Sequence, residues 1–310
     1  MMVAEANQLI RPKEHPMTTT APAPRTTDLL PAALGMGMLT LKVGDLAKMT
    51  DYYRTALGLA VLSDDSTGVV LGRINEPLLR LEDRHGLILP GRGEAGLFHT
   101  ALLFEDQAAL AAVVATAAQH PESRFAGSAD HLVSEAFYFT DPEGNGIELY
   151  WDRPRDQWIW HGTTVEMDSL ALNPNDYLRK HLTEQRTGSL DAAAAEIGHV
   201  HLQVGDTSVA RDFYVDTLGF AETASMHGQA LFVSAGGYHH HMAMNVWNSR
   251  GAGPRKDTLG LGEVLIRVPG TDDVTAVADR LRFAGIENHH DGSELRFEDP
   301  WRNRLRIAVG

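Results

Sequence analysis

The stretch "LKVGDLAKMTDYYRTALGL" (41–59) returns 161 residues later as "LQVGDTSVARDFYVDTLGF" (202–220), and no other feature limits the fold as much. Asp45 matches Asp206, Tyr53 matches Tyr214 and Gly58 matches Gly219, all at that one offset. Each copy reads as an alternating strand, a Gly-Asp that caps a helix with Tyr and Leu on one face, and a Gly that stops it. A second repeat is interleaved with the first. "FHTALLFEDQAALAAVVATAA" from 98 and "GEVLIRVPGTDDVTAVADRL" from 262 are again a strand followed by an amphipathic helix. Both run on to an Asp-Pro turn and a last strand, "DPEGNGIEL" from 141 and "DPWRNRLRI" from 299. The chain is thus four strand–helix–strands units, two per half, which makes it an α+β protein. The expected organisation is a disordered tail over 1–34, a first domain over 35–152 (units one and two), a connector over 153–195 and a second domain over 196–310 (units three and four). The connector carries tryptophans and a helical patch near 176–185.

Composition narrows what such a chain can do. With 310 residues there is enough chain for two full cores, and an apolar fraction of 43% is ordinary for a globular protein. No apolar run reaches the roughly 18 residues that a membrane span needs, so none is expected. The Thr/Pro/Ala-rich opening lacks the basic start and apolar core of a signal peptide, and Met17 is an alternative start; a cytoplasmic protein is expected. A formal net charge of −14 argues against nucleic acid or an anionic membrane as partner. Cysteine is absent, which removes disulfides, thiolate zinc sites, iron–sulfur clusters and Cys nucleophiles together. Any metal has to be held by His, Asp and Glu.

One segment then stands out, "DHLVSEAFYFTDPEGNGIELY" (130–150). Glu148 sits between Ile147, Leu149 and Tyr150, where a strand buries hydrophobes. A carboxylate in that place needs a compensating charge.

Four βαβββ modules, two per domain, resemble the vicinal-oxygen-chelate superfamily of glyoxalases, bleomycin resistance proteins and extradiol dioxygenases, over nearly all of residues 35–310. The resemblance implies curled mixed sheets, paired into open cups, with a metal inside one. Family ligands come from the first strand of each paired module and the last strand of one. The matching first-strand positions here are Met38, His99, His199 and Glu263; the last-strand positions are Glu148 and Arg306. Pairing in chain order completes neither cup, and the fixed charge of Arg306 repels a divalent cation. Pairing the second module with the third, and the first with the fourth, gathers His99, Glu148 and His199 into one 2-His-1-carboxylate set. Taken singly, His99 reads as a hydrogen-bonded strand histidine and Glu148 as an outward charge. His201 competes with His199 from the same strand face.

The quoted segment also resembles the extradiol ring-cleavage signature, through His131, Phe137-Tyr138, Asp141-Pro142, Gly144 and Glu148, with Ala129 as a mild departure. By that resemblance His131 hydrogen-bonds a substrate or reactive oxygen and Tyr138 orients the diol. The acid–base partner comes from "GGYHHHMAMNVW" (236–247), with His241 as first choice and His240 as second. Read as an alternating strand, this segment puts His239 and His241 on one face and His240 on the other. "SADHLVSEA", "DPEGNGIELYWDRP", "IGHVHLQVGD" and "LFVSAGGYHHHMAMNVWNSRGAG" are similar to the bacterial two-domain catechol 2,3-dioxygenase group. The implied cofactor is Fe(II), with Mn(II) as the other candidate, and the implied substrates are a small aromatic diol and O2. No organic cofactor is implied. A symmetric homo-oligomer is the expectation from general frequency. Two other readings stay open: a glyoxalase-type metal-dependent isomerase or lyase, and a metal-free small-molecule binding protein of the resistance type.

Overall fold

The computed structural model describes residues 29–184, 190 and 193–310. The first unit is β1 (Gly35–Val43), α1 (Leu46–Thr55), β2 (Ala60–Asp65), β3 (Gly68–Arg73) and β4 (Glu76–Asp83). The second is β5 (Gly96–Phe104), α2 (Gln107–Gln119), β6 (Arg124–Asp130), β7 (Ser134–Thr140) and β8 (Gly146–Asp152). The connector holds three two-residue strands, β9 (Trp160–His161), β10 (Thr164–Val165) and β11 (Leu170–Ala171), and α3 (Pro174–His181). The third unit is β12 (Ala195–Gln203), α4 (Thr207–Arg211, continued by a π-helical turn over Asp212–Thr217), β13 (Ala221–Met226), β14 (Ala230–Ser234) and β15 (Met242–Asn245). The fourth is β16 (Gly260–Val268), α5 (Thr271–Phe283), β17 (Asn288–His290), β18 (Glu294–Glu298) and β19 (Arg304–Val309).

The repeated Asp is the helix cap in three of the four units. Asp45 accepts from the Lys48 amide, Asp106 from Ala109, and Asp206 from Ser208 and Val209. In the fourth unit Gly270 stands there, and Asp273 reaches back to accept from its amide.

Two sheets result. One runs β17-β18-β19-β16-β1-β4-β3-β2, the other β11-β6-β7-β8-β5-β12-β15-β14-β13. At the centre of the second sheet β5 lies antiparallel to β12, so the second unit joins the third; in the first sheet β1 lies antiparallel to β16, so the first joins the fourth. The halves 35–152 and 196–310 therefore each contribute to both sheets. Strand alternation sorts the side chains by face. Leu102, Phe104, Ile147, Leu149, Val200, Leu202, Met242 and Met244 enter the main core. On the opposite, concave face Ala101, Ala136 and Tyr150 form a separate small cluster with Tyr138.

A second set of contacts ties the units in chain order. Tyr53 on α1 donates to Asp141 Oδ2 at 2.8 Å, and Tyr214 donates to Asp299 Oδ2 at 3.0 Å. Each Asp also organises its own turn. Asp141 accepts from the amides of Glu143 and Asn145 and from Asn145 Nδ2, and Asp299 accepts the same way from Trp301 and Asn303. Glu143 accepts in turn from the amides of Gly44 and Asp45 at the start of α1.

Several expectations shift in detail. The expected tail lies outside the described residues as far as 28, whereas Leu30 and Leu34 are buried and the Leu30 amide donates to the Gly219 carbonyl. The connector helix is Pro174–His181, with Asn173 as cap, and it packs on α2. Residue 185 of the expected helical patch lies outside the described residues. The His239–His241 triplet is not strand: it occupies the turn before β15, because Gly236 and Gly237 both take positive φ and turn the chain. In the sheet of units one and four, Arg306 pairs with Glu263 at 2.8 Å and with Glu294 at 3.0 Å. No helix among the described residues is long and apolar enough to cross a membrane.

The Tyr–Asp clamp generates a pH-dependent prediction. Burial raises the Asp141 carboxyl from 3.8 to about 6, against the hydrogen bonds that pull it down. The folded state then binds more protons than the unfolded state between those two values. This contribution to stability is fully present below pH 3.8 and is lost as the pH rises through about 6. Urea unfolding across that range is expected to show a decline of up to about 3 kcal/mol in the wild type, flattened in Asp141→Asn. Tyr53→Phe, which removes one donor from a buried carboxyl, is expected to cost about 1–3 kcal/mol.

Candidate metal centre

His99, Glu148 and His199 come together through strand register. On β5 and β8, Ala101 lies beside Glu148; on β5 and β12, Ala101 lies opposite His199. Tyr138 on β7 lies opposite Glu148. Tyr138, Glu148, Ala101 and His199 thus form one row across four strands, and His99 sits two residues before Ala101 on the same face. His99 Nε2 is 2.9 Å and His199 Nε2 is 3.1 Å from Glu148 Oε2. The three residues are 6%, 3% and 2% exposed.

Two glycines make this convergence possible. A Cβ on Gly198 would sit 1.7 Å from the Tyr150 hydroxyl, and one on Gly146 would sit 2.1 Å from the Phe98 carbonyl oxygen. Any larger residue would push β12 or β8 away from β5 beside the ligands.

The three donor atoms suit a divalent ion. They lie within 4.8 Å of one another, and His99 Nε2 is buried without a well-aligned hydrogen bond despite its closeness to Glu148. Ligand bonds of about 2.1 Å place neighbouring octahedral ligands about 3 Å apart, which matches both Nε2–Oε2 separations. Protonation agrees. Burial pushes the Glu148 carboxyl up, but the two imidazoles against it outweigh burial and hold it well below the usual carboxylate range. Burial lowers His199, outweighing the pull of Glu148. A carboxylate with a neutral imidazole is the form that binds metal. His201, the competitor, is held elsewhere: Asn245 Nδ2 donates to its Nε2 at 3.0 Å, and Asn245 Oδ1 accepts the Trp247 amide.

The remaining sequence-derived residues flank this set. The Tyr138 ring is 5.6 Å from that of His99, and its hydroxyl is 2.7 Å from His131 Nε2. His131 Nδ1 donates to the Asp168 carbonyl of the connector at 2.7 Å, which fixes that tautomer. Burial, with the Glu148 charge behind it, raises the Tyr138 phenol well above its ordinary value, so it stays a hydroxyl. The His240 ring lies 4.1 Å from that of His199. His241 faces another way. Its Nδ1 accepts from the Ala235 amide and lies 3.0 Å from Ser234 Oγ, and burial pushes it down to about 3. Phe98, His201 and Trp247 stack edge to face beside His99, and Trp247 is 46% exposed, giving the cup an aromatic mouth.

Sequence reasoning missed Tyr150, Asp152 and His239. Asp152 Oδ1 is 2.9 Å from His239 Nε2, and Asp152 Oδ2 accepts from Tyr238, whose hydroxyl is 2.7 Å from that of Tyr150. A signal existed: Glu148, Tyr150 and Asp152 share one face of β8 by alternation.

The sequence profile of the Glyoxalase/Bleomycin resistance protein/Dioxygenase superfamily matches residues 35–149 and 196–307. A protein of Bacillus subtilis (strain 168) named catechol-2,3-dioxygenase is 33% identical over 277 residues, covering 86% of this chain and 93% of that one. Among solved structures, a putative dioxygenase from Bacillus subtilis superposes with a TM-score of 0.57 at 15% identity, over 89% of this chain and 84% of that one. Glyoxalase I from Zea mays superposes with a TM-score of 0.55 at 15% identity, over 89% and 92%. At those identities the structures speak for the fold alone.

After chelation and reloading with Fe(II) or Mn(II), the protein is expected to take up one ion per chain, measured by elemental analysis. His99→Ala and His199→Ala are each expected to retain less than about a tenth of it, since each removes one of three ligands. Metal at about a hundredfold its dissociation constant is expected to add about 2.7 kcal/mol of stability to the wild type and nothing measurable to the variants.

Proposed function

Since the chain belongs to the Glyoxalase/Bleomycin resistance protein/Dioxygenase superfamily, we propose that it is an extradiol dioxygenase that opens the ring of a catechol- or hydroquinone-type substrate with O2. The observation that carries this reading is the His131–Tyr138 pair, hydrogen-bonded at 2.7 Å beside the His99–Glu148–His199 set. An isomerase working through the same metal has no need of that pair. A metal-free binding protein has no need of three filled ligand positions.

His99, Glu148 and His199 would hold Fe(II) through one carboxylate and two imidazoles, leaving room for a two-oxygen substrate and O2. When bound, the ion supplies a Lewis acid for the diol oxygens and the electrons that make O2 reactive toward the ring. The chain's own groups do the rest. Phe98 and Trp247, set edge to face, give the aromatic ring an apolar approach. Tyr138, kept a hydroxyl by burial, gives its one hydrogen to His131 Nε2, which leaves its oxygen to accept from a diol hydroxyl and orient the substrate. A neutral imidazole is needed to take the diol proton. His240 suits this role by position, its ring lying 4.1 Å from that of His199, and burial lowers it and so keeps it neutral before substrate binds. His241, with Nδ1 already engaged, supports the turn that presents His240. Both atoms of O2 end in the ring-opened product as one carbon–carbon bond breaks, so no external reductant enters.

Oxygen uptake tests the proposal. Protein loaded with Fe(II) under argon is mixed with aerobic catechol, methylcatechols and hydroquinones. One O2 per ring is expected, with kcat for Tyr138→Phe reduced about 10- to 100-fold. Absence of uptake across that panel at full iron content would overturn the reading. Metal-dependent isomerisation of a hemithioacetal by the same sample would replace it with the glyoxalase-type alternative.

A further inference from the structure

The cup leads out of the metal centre by a line of hydrogen bonds that the reaction as described above does not use. His239 is fully buried, at 0% exposure, and both of its ring nitrogens are taken. Nε2 is 2.9 Å from Asp152 Oδ1, and Nδ1 is 2.7 Å from Nδ1 of His240. The Trp158 ring of the connector lies 5.2 Å away and the Tyr238 ring 4.1 Å away, so the imidazole is wedged as well as bonded. Thr223 Oγ1 donates to the His239 carbonyl, which pins the backbone beneath the ring. Asp152 is held in turn by the Tyr238 hydroxyl, which Tyr150 meets at 2.7 Å.

Hydrogen counting along this line leaves one arrangement for the neutral pair. A carboxylate has no hydrogen to give, so the proton of His239 sits on Nε2. Its Nδ1 is then a lone pair and needs a donor, and the atom facing it is His240 Nδ1. The proton of His240 therefore sits on Nδ1, and the nitrogen left with a lone pair is Nε2. We propose that Asp152 and His239 are positioning residues that fix the tautomer and orientation of His240, presenting Nε2 as its proton-accepting atom. The inference rests on the ring-cleavage reading for its purpose, but its geometry is independent of it. The substrate proton meets a base already in the right form, with no tautomer exchange or ring flip before reaction. His240 touches the chemistry; Asp152 and His239 act through it.

The test reads tautomers directly. Long-range 1H–15N spectra of the histidine rings in the full chain, loaded with diamagnetic Zn(II), are expected to show the proton on Nε2 of His239 and on Nδ1 of His240. His239→Gln retains an acceptor for His240 and is expected to keep its tautomer, with kcat of the iron-loaded protein within about fivefold of wild type. His239→Phe fills the space without an acceptor; His240 is expected to lose the Nδ1 preference, and kcat to fall about 100-fold while KM and metal content stay within about twofold. A wild-type His240 with its proton on Nε2 would overturn the proposal outright. So would an equal loss of kcat in both variants, which would mark the contact as merely structural. The expected tautomers in a wild type that cleaves no diol would leave the positioning intact and overturn the ring-cleavage reading instead.

Discussion

The structure depends on a single buried charge. Glu148 sits at 3% exposure in the middle of a sheet, where an uncompensated carboxylate would cost several kcal/mol. Its partners are His99 on β5 and His199 on β12, each about 3 Å from Oε2. Because the two imidazoles come from different units, the three donors that can hold a compensating cation meet only where those units share a sheet. The antiparallel seam of β5 and β12, the bare backbone at Gly146 and Gly198, and the curl that turns this face into a cup all serve that meeting.

The other sheet shows the same constraint met with opposite signs. Arg306 occupies the place of Glu148, and Glu263 the place of His99. There the fixed cation lies between Glu263 and Glu294, and Arg296 also pairs with Glu294, so two cations meet two carboxylates. One cup thus closes its own charge balance with side chains. The other leaves two imidazoles and a carboxylate whose lone pairs point at a common space, which is an invitation to a cation from outside. Duplication supplied two similar cavities, and three substitutions at equivalent positions separate a structural one from a chemical one.

Much of this was legible in the chain because the repeat fixed equivalent positions independently of any contact. His99, Glu148 and His199 stood out by offset, and the pairing of the second unit with the third followed from which positions carried ligands. His131 and Tyr138 were marked by the resemblance of their segment to the extradiol ring-cleavage signature. What sequence could not give was whatever depends on contacts between distant segments. The Asp168 carbonyl that orients His131 belongs to the connector, and a backbone group leaves no mark on residue type. The histidine triplet looked like an alternating strand because it runs straight into β15. Two left-handed glycines bend it into a turn, which brings His240 and not His241 against His199. Asp152 and His239 went unread because a carboxylate at a strand end and the first of three histidines are unremarkable until the fold sets them 2.9 Å apart.

The two kinds of linkage between units also run in different directions. Sheet pairing joins the first unit to the fourth and the second to the third, whereas the Tyr53–Asp141 and Tyr214–Asp299 clamps join the first to the second and the third to the fourth. During synthesis this matters in time. When only the first half has left the ribosome, β1 and β5, nine residues each, have one neighbour apiece, β4 and β8, and nothing on the other side. Between the end of β5 and the start of β12 lie 90 residues (105–194), or roughly 5–20 s of elongation. For that interval the nascent chain carries two long, apolar, unpaired edges, the kind of surface that captures other chains. The architecture that shelters Glu148 in the finished protein therefore places its greatest hazard before the finished protein exists, and makes prompt arrival of the second half, or a chaperone's cover until then, part of what it takes to build the site.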